Sequence, residues 1–589
     1  MNIHLIDNND NAILQYAKTF SMFNSNVIQI IDRPIIIRKD IDNLKNKVVL
    51  LSGGGSGHEP GHAGFVGKGM LSAAVLGGIF ASPPANAILE AIFQIGNDNK
   101  CGVLLIVKNY TGDRINFNIA AERARKLGIN VEIVVVGEDT ATESSNTACG
   151  RRGLTGTILI HKIAGAMAEK NLNLKEIKEF VNTILKPGIM GTVGISFSGS
   201  VLSRKDASGL NLSDDMYELG LGIHGEAGIV RKKFETAELV MKEMINHLTS
   251  AKLESVKLIK GDKVVVVINN LGSTTHIELI LMANSIIEYL EKNFHVSVCR
   301  GYCGNYLTSL QMYGISVTIL KVFDDSILEY LDFPCTAPGW IDTVYNISSK
   351  TKLENMKKAV FDLDINLIRT GSSNLEHDEL SMNDFQKLTA LVLAASDELI
   401  NQENYLNELD KEIGDGDCGT TFKRGATAVK KYFIGCMSEN SKKYISVLLS
   451  NLSYIIENQM GGSSGGLLSL FFESLSTKYI ENPEAIWCDI FMDSVHVISE
   501  VGGAKEGDRT MLDVIFPVLR CWKNSHQETF EMVIPELADI SQKSSDLTMK
   551  MKPKAGRASY VKNNIKLTKY PDPGAEAINI IVKAINMKK

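Results

Sequence analysis

The texture of the chain changes once, near residue 384, and that change limits the fold more than any single motif does. Before it, short apolar runs alternate with helical stretches. Lys47-Val-Val-Leu-Leu51, Gly102-Val-Leu-Leu-Ile-Val-Lys108, Val131 to Val136 and Lys263-Val-Val-Val-Val-Ile268 are too short for core helices and read as buried strands. Ile119 to Leu127 and His276 to Asn293 read as helices, with further strands at Val296 to Arg300 and Ile315 to Val322. Such alternation predicts an α/β fold with a parallel sheet. From Asp384 onward the pattern is helical throughout, as in Phe385 to Ile400, where apolar residues recur at helical spacing. Residues 346–383 are polar and read as a linker. The expected fold class is therefore α/β plus all-α. Residues 1–190 and 191–345 form two α/β subdomains, and residues 384–589 form an all-helical domain.

Composition removes several function classes. A net charge of −6 leaves no basic excess to neutralise a nucleic-acid backbone. Nine cysteines with no Cys-x-x-Cys read as free thiols in a reducing compartment. No apolar run approaches the roughly 18 residues of a membrane span, and the N-terminus lacks a basic, then apolar, leader. The expectation is a cytoplasmic protein without a membrane or nucleic-acid partner.

Chemistry-bearing residues cluster in a few glycine-rich stretches. In Ser52-Gly-Gly-Gly-Ser-Gly-His-Glu-Pro60 the spacing fits neither a Walker A loop nor a dinucleotide fingerprint. His58-Glu-Pro-Gly-His62 formally matches the zinc-protease His-Glu-x-x-His. That motif works only on a helix, and Pro60 and Gly61 break one. What remains is a strand running into a flexible loop that offers backbone N–H groups and His58 to a small polar ligand. Asp113 follows the strand that ends at Lys108, the end at which α/β folds place chemistry. His224 stands between glycines in Gly222-Ile-His-Gly-Glu-Ala-Gly228. An imidazole placed so accessibly accepts a proton, binds a metal or attacks a carbonyl carbon.

In the helical half, Asp410, Asp415 and Asp417 fall within eight residues. An EF-hand counted from Asp415 fails, because position 6 is Thr420 and position 12 is Ala426. Magnesium held by a few carboxylates, with phosphate oxygens completing its shell, suits the spacing better. Met460-Gly-Gly-Ser-Ser-Gly-Gly-Leu467 leads into a helix and reads as a phosphate cradle, and Gly502 to Asp513 reads as a second one.

Together these motifs resemble the ATP-dependent dihydroxyacetone kinases. The substrate-binding half is carried by Gly53 to Pro60, Val107 to Arg114, Gly150-Arg-Arg-Gly-Leu-Thr-Gly-Thr157, Gly222 to Gly228 and Asn269-Asn-Leu-Gly272. The nucleotide-binding half, a barrel of antiparallel helices in that family, is carried by the three aspartates, the 460–467 loop, Gly502 to Asp513 and Pro571-Asp-Pro-Gly-Ala575. The resemblance implies that His224 bonds covalently to the carbonyl carbon of a short ketose as a hemiaminal. It implies that Gly55, Ser56, Gly57, His58, Lys108 and Asp113 hold the substrate hydroxyls. A histidine that adds to a carbonyl selects ketone or aldehyde over alcohol. Asp113 is suited to take the proton of the hydroxyl being phosphorylated, and His58 to orient and polarise it.

For the second half the resemblance implies Asp410, Asp415 and Asp417 on two Mg2+ ions. It places Cys418, Gly419, Thr420, Thr421, Ser463 and Ser464 on the phosphates of ATP, with Gly502, Thr510, Met511, Asp572, Pro573 and Gly574 enclosing the nucleotide. Dihydroxyacetone and glyceraldehyde are the implied substrates, and a homodimer through the first half the implied assembly. Animal members of the family also split FAD into AMP and a cyclic flavin phosphate, with Mn2+ or Co2+. Gly150-Arg-Arg-Gly-Leu154 and Gly461-Gly-Ser-Ser-Gly465 resemble that branch most. A catalytically inactive regulatory binding protein is the competing class, and the intact His224, Asp113 and metal aspartates argue against it.

Overall fold

The computed structural model describes residues 11–142, 150–197, 215–252, 255–340, 344–345, 379–411, 416–438, 442–525, 529–555 and 569–588. The linker expected at 346–383 lies outside the described residues up to position 378, as does Asp415. Two compact units divide the chain, Met1–Lys358 and Ala359–Lys589.

The first unit holds two sheets. One has the order β1-β2-β4-β3-β5-β6, made of β1 (Val27–Gln29), β2 (Ile35–Arg38), β3 (Val49–Ser56), β4 (Ala73–Ile79), β5 (Val103–Lys108) and β6 (Val131–Val136). Its β4-β3-β5-β6 core is parallel, as the alternation predicts, and β1 and β2 add antiparallel edges. Helices α2 (Ala85–Gly96) and α3 (Thr111–Lys126) bury their apolar stripes on one face. On the other lie α1 (Ala12–Phe23), α4 (Gly156–Glu169) and α5 (Leu174–Ile184). Every residue of α4 from Gly156 to Ala168 is buried, because α4 also packs against the second sheet. Such a central position leaves no solvated face, so Lys162 gives its Nζ to the Tyr330 and Phe333 carbonyls.

The second sheet departs from the parallel expectation. Its order is β13-β11-β10-β12-β7-β8-β9, from β7 (Met190–Ser196), β8 (Met216–Leu219), β9 (Val230–Lys233), β10 (Lys263–Asn270), β11 (Ser297–Gly304), β12 (Gly314–Lys321) and β13 (Val344–Tyr345). Only the β10–β11 pair is parallel. The reason is the connections: only β10–β11 is bridged by a helix, α7 (His276–Tyr289), that returns the chain to the same end. Helices α6 (Ala237–Leu248) and α7 cover the outer face, and the short α8 (Ser326–Leu331) packs on α4. Leu219 pairs with Val230, so residues 220–229 form the loop of an edge hairpin, and His224 sits in it.

The glycine stretch after the first predicted strand is not a loop. It continues β3 as far as Ser56, fully buried. Glycine is needed there for space: a Cβ on Gly55 would stand 2.7 Å from the Ala81 nitrogen and 2.9 Å from the Phe80 carbonyl carbon. The helix predicted from Ile119 begins earlier, at Thr111, so Asp113 lies in the first turn of α3.

In the second unit the described helices are α9 (Met382–Asn401), α10 (Glu403–Lys411), α11 (Cys418–Ser438), α12 (Ile445–Gln459), α13 (Gly462–Glu481), α14 (Trp487–Gly502), α15 (Leu512–Asn524), α16 (Phe530–Thr548) and α17 (Pro573–Lys588). Each of α11 to α17 packs on its predecessor in this order; α11 also packs on α9, and α17 closes the ring on α9. The ring is the expected helical barrel. It encloses an apolar lumen of about 610 Å³ lined by residues such as Leu399, Phe422, Leu452 and Phe472. Among the described residues no helix is long and apolar enough to cross a membrane.

Candidate active site

Four segments of the first unit meet around His224. The hairpin loop is closed by Gly225 N–H donating to the Gly222 carbonyl (3.0 Å) and Gly222 N–H donating to the Glu226 carbonyl (2.9 Å). Ser309 Oγ donates to the Ile223 carbonyl (2.6 Å) and ties the loop to residues 306–312. That second loop is ordered by Asn269. Its Oδ1 accepts from the N–H groups of Tyr306 and Leu307, and its Nδ2 donates to the Leu307 carbonyl. The Asn269-Asn-Leu-Gly272 motif thus works by placing its neighbours.

The His224 side chain is 23% exposed. Its ring meets Tyr110 and His58 edge-on, both at 4.8 Å between centroids, and Phe80 at 5.5 Å. Phe80 in turn stacks on His58 at 4.9 Å. His58 is buried, and its Nδ1 lies 2.8 Å from the Thr308 carbonyl oxygen. A carbonyl only accepts, so Nδ1 carries the hydrogen and Nε2 keeps a lone pair. That Nε2 is buried without a protein partner. Burial, then the charge of Lys108 and the proximity of His224, push the His58 pKa well below the usual histidine value. A neutral imidazole with an unshared lone pair is a proton acceptor for a ligand hydroxyl.

Lys108 and Asp113 stand together beneath Gly54, where a Cβ would touch Lys108 Nζ at 3.2 Å and Asp113 Oδ2 at 3.5 Å. Both are almost fully buried. Burial draws the Lys108 pKa down, against the pull of Asp113, Glu226 and Glu138. Ser82 Oγ donates to Asp113 Oδ1, leaving Oδ2 toward Lys108. Ser56 and Gly57 are engaged locally. Ser56 Oγ donates to the Gly77 carbonyl (2.7 Å), and Gly57 N–H is held by the Glu59 carboxylate (3.0–3.1 Å). The N–H groups expected to face a ligand are, at Gly57, already taken. His62 lies apart from His58: its Nδ1 is 3.0 Å from His161 Nε2 in the core beside α4. No zinc-protease helix forms.

In the second unit, four helix N-termini open on a cleft of about 410 Å³. They bring Cys418 and Thr421 from α11, Gly462, Ser463 and Ser464 from α13, Thr510 and Met511 before α15, and Asp572, Pro573 and Gly574 at α17. Converging positive helix ends and unpaired N–H groups suit a polyanion. Gly461 and Gly462 take φ of 71° and 65°, the left-handed region, which turns the chain sharply into α13. Asp410 and Asp417 line the same cleft. Asp410 Oδ2 accepts from the N–H groups of Asp417 (2.9 Å) and Cys418 (3.2 Å). Among the described residues nothing hydrogen-bonds Asp410 Oδ1 or the Asp417 carboxylate. All-oxygen donors beside a cleft ringed by helix N-termini fit Mg2+. Asp572 is half-buried in the cleft wall, and desolvation there raises its pKa to about 6.

Two expected nucleotide contacts face elsewhere. Gly419 abuts the Glu403 carbonyl, and Thr420 gives its N–H to Asn407 Oδ1 (3.0 Å), while its hydroxyl donates to Glu403 and accepts from Asn407 Nδ2 on α10. On a helix, residues one apart point to different sides, so Thr421 reaches the cleft and Thr420 does not. Sequence reasoning also missed Arg424, which lines the cleft and donates to the Met460 carbonyl (2.9 Å). Its position three residues after Thr421 on the same helix face was the available signal.

Residues 18–339 match the Dak1 domain and residues 412–587 match the DAK2 domain. This chain belongs to the dihydroxyacetone kinase family. It is 39% identical over 559 residues to the triokinase/FMN cyclase of Homo sapiens, covering 94% of this chain and 93% of that one. Dihydroxyacetone kinase 1 of Saccharomyces cerevisiae is 31% identical over 606 residues, covering 96% and 97%. The crystal structure of the dihydroxyacetone kinase from C. freundii in complex with AMP-PNP and Mg2+ aligns at a TM-score of 0.64 and 28% identity, with both chains covered 100%. The α/β half and the helical barrel are therefore the fold of this family.

Proposed function

We propose that this chain is a phosphotransferase that moves the γ-phosphoryl group of ATP to dihydroxyacetone, and to glyceraldehyde, which shares the carbonyl and a hydroxyl. The observation that carries the reading is the cage around His224. An accessible imidazole stands beside the buried, unpartnered Nε2 of His58, in the unit that also buries Lys108 against Asp113. His224 adds to the substrate carbonyl and fixes the triose. Asp113, kept near a cation, takes the proton of the attacking hydroxyl, and His58 Nε2 accepts a hydrogen bond that orients the triose. Gly55, Ser56 and Gly57 shape the wall by holding the 77–82 segment and the Glu59 carboxylate.

ATP belongs in the cleft of the second unit. Cys418, Thr421, Ser463 and Ser464 meet its phosphates, and Gly502, Thr510, Met511 and Asp572 to Gly574 enclose the nucleotide. Asp410, Asp415 and Asp417 are the Mg2+ ligands. When bound, Mg2+ neutralises charge on the phosphoryl oxygens. Arg424 and the helix N-termini supply the protein's share of the same stabilisation.

A second activity rests on the 39% identity with the human triokinase/FMN cyclase over nearly the whole chain. FAD cleavage to AMP and cyclic flavin phosphate would use the same cleft, with Mn2+ or Co2+, and would not need His224. Eight free cysteines among the described residues suit a reducing cytoplasm, and we expect a homodimer through the first unit.

The test is ATP-dependent phosphorylation of dihydroxyacetone by wild type and His224→Ala, with FAD cleavage run in parallel. The variant is expected to lose most kinase activity and keep FAD cleavage. A wild type that cleaves FAD but phosphorylates no triose would replace the kinase reading with the lyase one.

A further inference from the structure

We propose that Asp139, Arg152 and Glu226 form a positioning chain that fixes His224 as the Nδ1–H tautomer and so keeps the Nε2 lone pair for the substrate carbonyl. The inference rests on the reading of His224 as the carbonyl anchor, and it gives a task to the Gly150-Arg-Arg-Gly153 stretch, which the two sites above leave without one.

The geometry starts from the hairpin loop. Glu226 lies two residues beyond His224, and closure of the Gly222–Glu226 turn brings its carboxylate back beneath the ring. Glu226 Oε2 accepts the backbone N–H of His224 (3.0 Å), and Glu226 Oε1 stands 2.8 Å from His224 Nδ1. An ionised carboxylate has no hydrogen to give, so Nδ1 must carry it. Which ring nitrogen keeps the lone pair is decided by the bond the other one makes.

Glu226 stays ionised although burial opposes it. The hydrogen bond from His224 and the nearby charge of Arg152 hold its pKa at about 2. Arg152 and Glu226 flank the gap that Gly222 leaves, near enough for their charges to attract but not hydrogen-bonded to each other. A Cβ at 222 would collide with both Glu226 Oε2 and Arg152 Nη1. Arg152 is itself fixed by Asp139, with Nε 2.5 Å from Oδ2, and by donating Nη2 to the Gly220 carbonyl (2.6 Å). Asp139 is buried, and its Oδ1 holds the Ala141 N–H (2.9 Å). Carboxylate, guanidinium, carboxylate and imidazole therefore follow one another.

The step this supports balances with solvent water as the proton carrier. The Nε2 lone pair forms the bond to the carbonyl carbon, and the C=O π pair moves onto oxygen. Nδ1 releases its proton to the part-exposed Glu226 and from there to water, and the former carbonyl oxygen takes a proton from water. The net change is one proton moved from nitrogen to oxygen, and the adduct is neutral. With Nε2 protonated instead, no lone pair faces the carbonyl and the addition stops. A purely structural staple of the turn would make the same hydrogen bonds without controlling the tautomer, and the test separates the two.

In full-length protein labelled with 15N at the histidine side chains, the His224 resonances are assigned by their loss in His224→Ala. The free enzyme is expected to show a protonated Nδ1 and an unprotonated Nε2. Glu226→Gln, which preserves shape but lets an amide N–H face Nδ1, is expected to shift this toward the Nε2–H form. It should reduce the hemiaminal signal of 2-13C-dihydroxyacetone and lower kcat/KM for the triose by about 100-fold, leaving the KM for ATP unchanged. Arg152→Met should move the same readouts in the same direction by about 10-fold. A wild type with His224 protonated on Nε2, or a Glu226→Gln enzyme with an unaltered tautomer and hemiaminal signal, overturns the proposal. The wild-type tautomer requires no variant to fold. A wild type with the expected tautomer but no hemiaminal signal would instead remove the carbonyl-anchor reading and retain the positioning chain.

Discussion

Gly55→Ala gives a sharp test of how the site is built. The added Cβ would meet Ala81 N at 2.7 Å and Phe80 Cα and carbonyl carbon at 2.9 Å, all backbone atoms. Ordinary contact begins near 3.4 Å, so the 80–82 backbone must retreat by about 0.7 Å. Two site residues depend on that segment. Phe80 carries the ring stacked on His58, and Ser82 holds Asp113 Oδ1. Overpacking of this kind costs about 1–3 kcal/mol of stability. Displacement of reacting groups by about 1 Å costs up to about 100-fold in rate. We expect kcat/KM for dihydroxyacetone to fall about 30- to 100-fold, with the KM for ATP unchanged because the cleft of the second unit is untouched. Gly78→Ala is the control. Its Cβ would meet only Ala81 Cβ, at 3.7 Å, and it should stay within about 0.5 kcal/mol of wild type. Steady-state kinetics and thermal melts of both variants decide the matter. A Gly55→Ala enzyme within about 3-fold of wild type, or a Gly78→Ala enzyme equally impaired, refutes the reasoning.

Two more outcomes follow from the same geometry. His62 and His161 are buried against one another, and burial, then the charge of Lys108, holds the His62 pKa well below the usual value and the His161 pKa at about 3. In the unfolded chain both titrate near 6.5, so the unfolded state binds more protons below that pH. Stability is full above pH 6.5 and falls as pH drops, by about 2 kcal/mol per histidine at pH 5. Urea midpoints reported by Trp340, with Trp487 and Trp522 changed to Phe, should drop between pH 7 and 5, and a flat profile counts against the buried pair. Arg424→Met removes a cation from the cleft of the second unit and should raise the KM for ATP about 10- to 100-fold, with dihydroxyacetone binding by the first unit unaltered; an unchanged KM would place the phosphates elsewhere.

Much of the fold was legible from periodicity. The runs at Val49, Val103, Val131 and Val264 are strands, and the helical texture after residue 384 is a ring of helices. What periodicity misread were pairing direction and glycine. An apolar run looks the same in a parallel or antiparallel sheet, so the mostly antiparallel second sheet was hidden. Glycines 53 to 55 read as loop because glycine is usually a turn residue, yet here they admit the neighbouring backbone within a buried strand. Among site residues, His58, His224 and Asp113 announced themselves through unusual company. Phe80, Tyr110 and Thr308 did not, because an aromatic ring or a backbone carbonyl carries no signature until the chain folds around it.

Sequence alone determined the chemistry that each stretch carries. A histidine between glycines, a carboxylate past a strand and aspartates spaced by glycines are local facts, encoded in adjacent residues. Tertiary structure decided how those groups are tuned. The His58 lone pair is directed by a carbonyl 250 residues away, and Glu226 is backed by Arg152 and Asp139 from a different segment. Tautomer and charge are set by burial and by through-space partners, and neither exists until distant segments pack.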